Sequence, residues 1–199
     1  MPTQITVAIV YHSGFGHTAR QAEAVARGAA SLDGVKTLLI SVDSFHGEWE
    51  LLERSDAIIF GAPTYMGSAS AQFKAFLDAT SPAVFAPGFK WKDKIAAGFT
   101  NSASRSGDKL ETLLQFAVFA GQMGMHWVNL GLPPGNNVST GTEQDLNRLG
   151  FFMGAGAQSN YDEGPELTPP ESDLKTAEHL GRRVAEVTQQ LVRGRSLAS

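Results

Sequence analysis

The chain has 199 residues, of which 42% are apolar and 18% charged, enough for one large core and too apolar for a disordered chain. The net charge of −4 offers no basic surface for nucleic acid, and the absence of cysteine excludes disulfides, thiolate nucleophiles and Cys-ligated metal centres. No apolar run is long enough to span a bilayer, and Met1-Pro2-Thr3-Gln4 leads into a strand without a basic or apolar leader. The expectation is a soluble cytoplasmic protein, one domain over residues 1–199.

Residues 5–11 form an apolar run rich in β-branched residues, the pattern of a strand buried on both faces. An Ala-rich helix is expected over 19–32, ended by Asp33-Gly34. The second strand spans 35–42, a short helix 48–54, and the third strand 56–62. A loop at 63–68 precedes a helix over 69–79, with Phe73, Phe76 and Leu77 on one stripe. Residues 81–94 read as irregular, with Trp91-Lys92-Asp93-Lys94 a charged entry to the fourth strand at 95–100. The loop 101–107 leads into a helix over 108–122, with Leu110, Leu113, Leu114, Ala117 and Val118 inward. The fifth strand is expected at 126–130. Residues 131–160 are too long for a simple connection; within them 151–155 could resume a strand. The last helix starts at Thr168-Pro169-Pro170-Glu171 and runs over 172–193. There is no internal repeat. Five alternations of strand and helix predict an α/β fold of three layers, a five-stranded parallel sheet with helices on both faces.

In such a sheet, ligands bind beyond the carboxyl ends of the strands. Three loops open on that edge. The first, Ser13-Gly14-Phe15-Gly16-His17-Thr18, lies between a strand and a helix and aims backbone N–H groups and the positive helix end at one point. It formally satisfies G-x-G-x-x-A, a weak match to the dinucleotide-binding turn. The flanking hydroxyls of Ser13 and Thr18 suit a terminal monophosphate better, and the candidate ribose acid, Asp43, falls late. The plain alternative is a turn and a helix cap. The second loop, Pro63-Thr64-Tyr65-Met66-Gly67, places an aromatic ring and a thioether where they can lie against a planar ligand; an ordinary loop is the alternative. The third, Asn101-Ser102-Ala103-Ser104-Arg105-Ser106, supplies small donors for the edge of a heterocycle, and Ser106 or Asp108 also serves as the cap of the next helix. A flat, phosphorylated heterocycle satisfies all three loops, and FMN is such a molecule.

Three stretches carry a resemblance: Tyr11-His12-Ser13-Gly14-Phe15-Gly16-His17-Thr18, then Ile58-Ile59-Phe60-Gly61-Ala62-Pro63-Thr64-Tyr65-Met66-Gly67, then Phe76-Leu77-Asp78-Ala79-Thr80. They resemble the flavodoxin-like superfamily, and within it the WrbA-type NAD(P)H:quinone oxidoreductases. The resemblance implies that residues 13–18 bind the FMN phosphate, that 64–67 contact the isoalloxazine, that 101–106 hold its other edge, and that Phe15 stacks on the nicotinamide or adenine side. It implies NAD(P)H as co-substrate, a quinone-like acceptor and a homo-oligomer, dimer or tetramer. The chain departs from the family pattern in lacking its arginine between Thr64 and Gly67, its histidine near Met123, and its long insertion after the second strand.

The flavin then carries the redox chemistry, with hydride passing from NAD(P)H to the ring and on to the acceptor in ping-pong order and no side chain required as acid or base. Two other readings remain: a flavodoxin-type electron carrier without nicotinamide turnover, and a Rossmann-type NAD-binding dehydrogenase. His12 and His17 read as ring packing and a cap rather than metal ligands, so no metal is expected. Arg105 reads as a solvated helix-start residue or a phosphate contact. Phe85, Phe89 and Trp91 could line a pocket over the ring or a subunit interface.

Overall fold

The computed structural model describes residues 4–198, with the side chain of Ala198 excepted. Met1, Pro2 and Thr3, on which the expectation of a start without a leader partly rests, lie outside the described residues. The strands are β1 (Ile5–Tyr11), β2 (Val35–Ser41), β3 (Ala57–Tyr65), β4 (Ser68–Ala69), β5 (Ile95–Ser102), β6 (His126–Trp127) and β7 (Ala155–Gln158). The helices are α1 (His17–Ala30), α2 (Trp49–Glu53), α3 (Ala71–Thr80), α4 (Lys109–Gln122) and α5 (Glu171–Ala198). A single π turn, Ser81–Phe85, extends α3 into the segment expected to be irregular.

The sheet has seven strands, not five. Its main path, β2-β1-β3-β5-β6, is parallel throughout; β4 pairs antiparallel with β3, and β7 pairs parallel with β5. Two local causes explain the difference. Met66 and Gly67 both take positive φ (49° and 87°), so the segment expected as a plain loop folds into a two-residue hairpin that pairs Tyr65 with Ser68. The expected fifth strand, 126–130, pairs only through His126 and Trp127. The chain then leaves the sheet and returns as β7 alongside Phe99–Ser102. One edge position is therefore shared by two short strands, and the resumed strand begins at Ala155 rather than at 151.

Alternation along the central strands sorts their side chains between two cores. Val7, Ile9, Ala57, Ile59, Ala97 and Phe99 pack against α1 and α5. Val10, Ile58, Phe60 and Ala96 pack against α2, α3 and α4. Phe73, Phe76 and Leu77 are buried as expected. On α4 only Leu113 of the expected inward set is fully buried. Ala117 is half-buried, and Leu110, Leu114 and Val118 are exposed. The inward face is instead Lys109, Thr112, Leu113, Phe116, Phe119 and Ala120. Apolar residues occupy two stripes of this helix, so periodicity had two faces to choose from, and the Phe residues bury more area than the Leu–Val stripe. Trp91 is fully buried among Trp49, Phe60 and Phe119, so it belongs to the core and lines no pocket over a ligand.

Helices α1 and α5 approach closely. A Cβ on Gly28 would collide with the Glu178 carbonyl, and one on Gly181 with the Val25 carbonyl. The reciprocal glycines let the two backbones touch.

Candidate functional site

The strand order steps outward from β1 in both directions, to β2 on one side and to β3 and β5 on the other, so the carboxyl ends of β1 and β3 flank a topological switch point. The loop after β1 enters α1 two residues earlier than expected, at His17, because Gly16 takes the left-handed conformation (φ 88°) at the N-cap. Ser13 Oγ accepts a hydrogen bond from Ala19 N–H (3.1 Å), so the cap is real and the hydroxyl proton remains free to donate elsewhere. The backbone N–H groups of residues 13–18 donate to no protein acceptor among the described residues. Thr18 is buried. His17 Nε2–H donates to the Glu163 carbonyl (2.8 Å), and Pro165 closes against Gly16, so the segment after β7 braces this loop from outside. His12 is buried beneath it, with Nε2 3.8 Å from Asp43 Oδ1; Asp43 itself does not reach the cleft described next.

Ser13, Gly14, Phe15, His17 and Thr18 line a cleft of about 360 Å³, closed on its other sides by Pro63, Tyr65, Asn101, Ser102, Ala103, Ser159 and Tyr161. No lysine or arginine side chain lines it among the described residues. It opens onto a wider shelf of about 780 Å³, to which Thr64, Met66, Gly67, Ser104, Gly107 and Asp108 contribute. Phe15 and Tyr65 border both spaces and meet edge to face, centroids 6.4 Å apart. Burial raises the Tyr65 phenol above its ordinary pKa, so it is a neutral donor at pH 7. Met66 stands fully exposed at the hairpin tip. Thr64 points inward and shares hydrogen bonds with the hydroxyls of Thr100 and Thr112, both 2.8 Å.

The third loop begins two residues later than expected, since β5 runs through Ser102. Asn101 Nδ2 donates to Ser159 Oγ (2.9 Å). Arg105 turns away from the cleft to Glu143 (2.8 Å), and neither Arg105 nor Ser106 lines cleft or shelf. Asp108 occupies the N-cap of α4 without a side-chain cap bond; the Ser106 carbonyl, accepting from Lys109 N–H (3.2 Å), does that work instead. Ser159 and Tyr161 were not singled out from sequence, because the segment carrying them read as an irregular connection. No group of three or more His, Asp or Glu residues is placed to hold a metal ion among the described residues. No described helix is long and apolar enough to cross a membrane.

The comparisons fit this geometry. Residues 48–133 match the model of the NADPH-dependent FMN reductase family. The chain is 44% identical over 187 residues to flavodoxin FldP of Pseudomonas aeruginosa (strain UCBPP-PA14), covering 92% of this chain and 96% of that one. It is 32% identical to an NAD(P)H dehydrogenase (quinone) of Aromatoleum aromaticum, covering 96% and 99% of the two chains. Among solved structures, the WrbA-like flavodoxin from Agrobacterium tumefaciens superposes with a TM-score of 0.72 at 41% identity, covering 94% of this chain and 99% of that one. With an unpartnered N–H cradle at the switch point of a 2-1-3-type sheet and relatives spanning nearly its whole length, the chain belongs to the WrbA-type family of flavodoxin-like NAD(P)H-dependent flavin oxidoreductases.

Proposed function

We propose that the protein is an FMN-dependent NAD(P)H:quinone oxidoreductase acting as one domain. The observation that carries this is the run of undonated N–H groups over residues 13–18 at the positive end of α1. Such a cradle suits a phosphate dianion without help from a basic side chain. Each charge-assisted bond is worth about 1.5–3 kcal/mol. When bound, FMN supplies the hydride exchange. The chain's own residues do the rest. Ser13, Gly14, Phe15, Gly16, His17 and Thr18 hold the phosphate. Tyr65, Met66 and Gly67 set the ring, with Pro63 and Thr64 beneath. Asn101, Ser102, Ala103 and Ser104 edge it. The shelf beside Tyr65 and Met66 leaves one ring face open to nicotinamide and then to a quinone-like acceptor.

A homo-oligomer, dimer or tetramer, is part of this reading. The exposed stripe Leu110, Leu114 and Val118 on α4, beside half-exposed Phe85, supports it. A cytoplasmic location follows from the co-substrate. The purified protein is expected to show flavin absorption and to oxidise NAD(P)H with benzoquinone, giving parallel double-reciprocal plots. A protein that stays colourless with added FMN overturns the proposal. The 44% identity to a relative named as a flavodoxin favours a second reading, an electron carrier. Bound flavin without NAD(P)H turnover is the outcome that selects it.

A further inference from the structure

Lys109 is the first residue of α4 and its side chain is wholly buried. A cation there faces the positive helix end and loses its hydration, and burial lowers its pKa from 10.5 to about 8. Its Nζ donates to two carbonyls of the third loop, Ser104 O (2.5 Å) and Arg105 O (3.0 Å). The neighbouring carbonyls turn the same way. Ser102 O accepts from Ser159 N–H (3.1 Å), Ala103 O from Gln158 Nε2 (2.9 Å) and Ser106 O from Lys109 N–H (3.2 Å). Every carbonyl from 102 to 106 thus accepts a hydrogen bond from a protein donor. The N–H groups of 103–107, in contrast, donate to no protein acceptor among the described residues. The loop's acceptors are occupied by the protein and its donors are left for a ligand.

We propose that Lys109 is a positioning residue that pins this loop from behind, so that Ala103, Ser104 and Gly107, the loop residues that line cleft and shelf, meet the cofactor with N–H donors backed by a buried cation. The proposal rests on the reading of the cleft as an FMN site. The pyrimidine edge of the flavin is rich in acceptors: N1, the C2 and C4 carbonyls and N5, against a single N3–H donor. Two-electron reduction with uptake of one proton, the equivalent of a hydride, leaves a net negative charge over N1 and the C2 carbonyl. A rim of donors with a cation behind it stabilises that charge more than it stabilises the oxidised ring. Lys109 touches the loop, not the ligand, so it acts through Ala103, Ser104 and Gly107. Several charged groups surround it. Asp173 on α5 favours its ammonium, Arg148 opposes it, and Arg148 in turn is held by Asp173 (2.8 Å) and Glu143, with Glu143 also bound to Arg105.

The test is the midpoint potential and FMN affinity of the full-length holoprotein, measured across pH for wild type, Lys109→Met, Lys109→Gln and Lys109→Arg. In K109M the potential is expected to fall, FMN to bind more than tenfold more weakly, and uptake of the second proton on reduction to begin at higher pH. K109R, which keeps the charge, restores most of the potential. Should K109M fail to fold, K109Q carries the test, because it keeps a donor and loses the cation; its potential is expected to fall. A purely structural lysine would change melting and affinity while leaving the potential and proton uptake alone. If wild type binds FMN and turns over NAD(P)H yet K109M or K109Q keeps the wild-type potential, this proposal fails and the oxidoreductase reading stands. If wild type binds no FMN, both fail.

Discussion

A Cβ placed on Gly14 would lie 2.6 Å from the hydroxyl oxygen of Tyr65. The glycine of the first loop and the aromatic of the second are thus fitted to each other across the cleft. The obstructing atom is the far end of a side chain that can swing away. Gly14→Ala is therefore expected to leave the fold within about 0.5 kcal/mol of wild type while displacing the ring. FMN binding should weaken by roughly tenfold, about 1.4 kcal/mol. Fluorescence titration of the apoprotein together with a thermal melt checks both halves.

Ser13 has two duties, since its oxygen caps Ala19 N–H and the residue lines the cleft with its hydroxyl proton free to donate. Ser13→Ala should lose about 0.5–2 kcal/mol of stability through the cap, together with affinity for FMN. Riboflavin, which has no phosphate, separates the two. Its affinity should stay within a factor of two of wild type, while that of FMN falls about tenfold or more by loss of a charge-assisted bond.

The contact between α1 and α5 leaves no room for a methyl group at Gly28 or Gly181, where backbone carbonyls are the obstacles. Gly28→Ala and Gly181→Ala should each destabilise by about 1–3 kcal/mol, the usual range for overpacking. Denaturant melts are the measurement, and a neutral result would mean that the helices separate freely.

Arg148 and Asp173 form a two-bond ion pair at 2.8 Å in the interior. Only 4% and 2% of their side-chain surfaces are exposed. Removing one partner strands the other's charge, so Arg148→Met should lose about 3–5 kcal/mol. Arg148→Met combined with Asp173→Leu should lose less than the two single changes together, a coupling that a double-mutant cycle reads directly.

The pH dependence of stability tests Lys109 from another direction. In the folded protein its proton leaves at about 8, against an ordinary value of 10.5. Between those values the unfolded chain holds more protons, so this group makes stability rise with pH through that window. Below pH 8 its burial is a constant cost. Wild type minus K109M, followed by chemical denaturation from pH 7 to 10.5, should therefore climb across the window. A flat difference would mean that the ammonium keeps its proton to its ordinary pKa.

Much of this was legible from residue order. β-branched runs and Ala-rich segments placed the central strands and α1 to within three residues, and the glycine turn after β1 pointed to the cradle. The misses have local causes. The hairpin at Met66-Gly67 was hidden because methionine is an unusual residue at a positive φ, where asparagine or aspartate is the ordinary signal. The α4 faces were confused because apolar residues occupy both. Ser159 and Tyr161 depend on β7, a four-residue strand whose pairing with β5 is a long-range event with no periodicity of its own. The pairing of the 102–106 carbonyls depends on Lys109, Gln158 and Ser159, and a lysine at the start of a helix reads as solvated until its burial is seen.

The shared edge position beside β5 has a wider meaning. The excursion between β6 and β7 leaves the sheet after its first rung is laid and rejoins it beside the cleft, just ahead of Ser159 and Tyr161. It is a cassette spliced into the outer rail. It is pinned to α5 by Arg148 on Asp173 and by Asn147 N–H on Thr176 Oγ1, so its length can change with least disturbance only away from those anchors. A change there reaches the cleft wall through Ser159 and Tyr161 before it reaches the loop after β1.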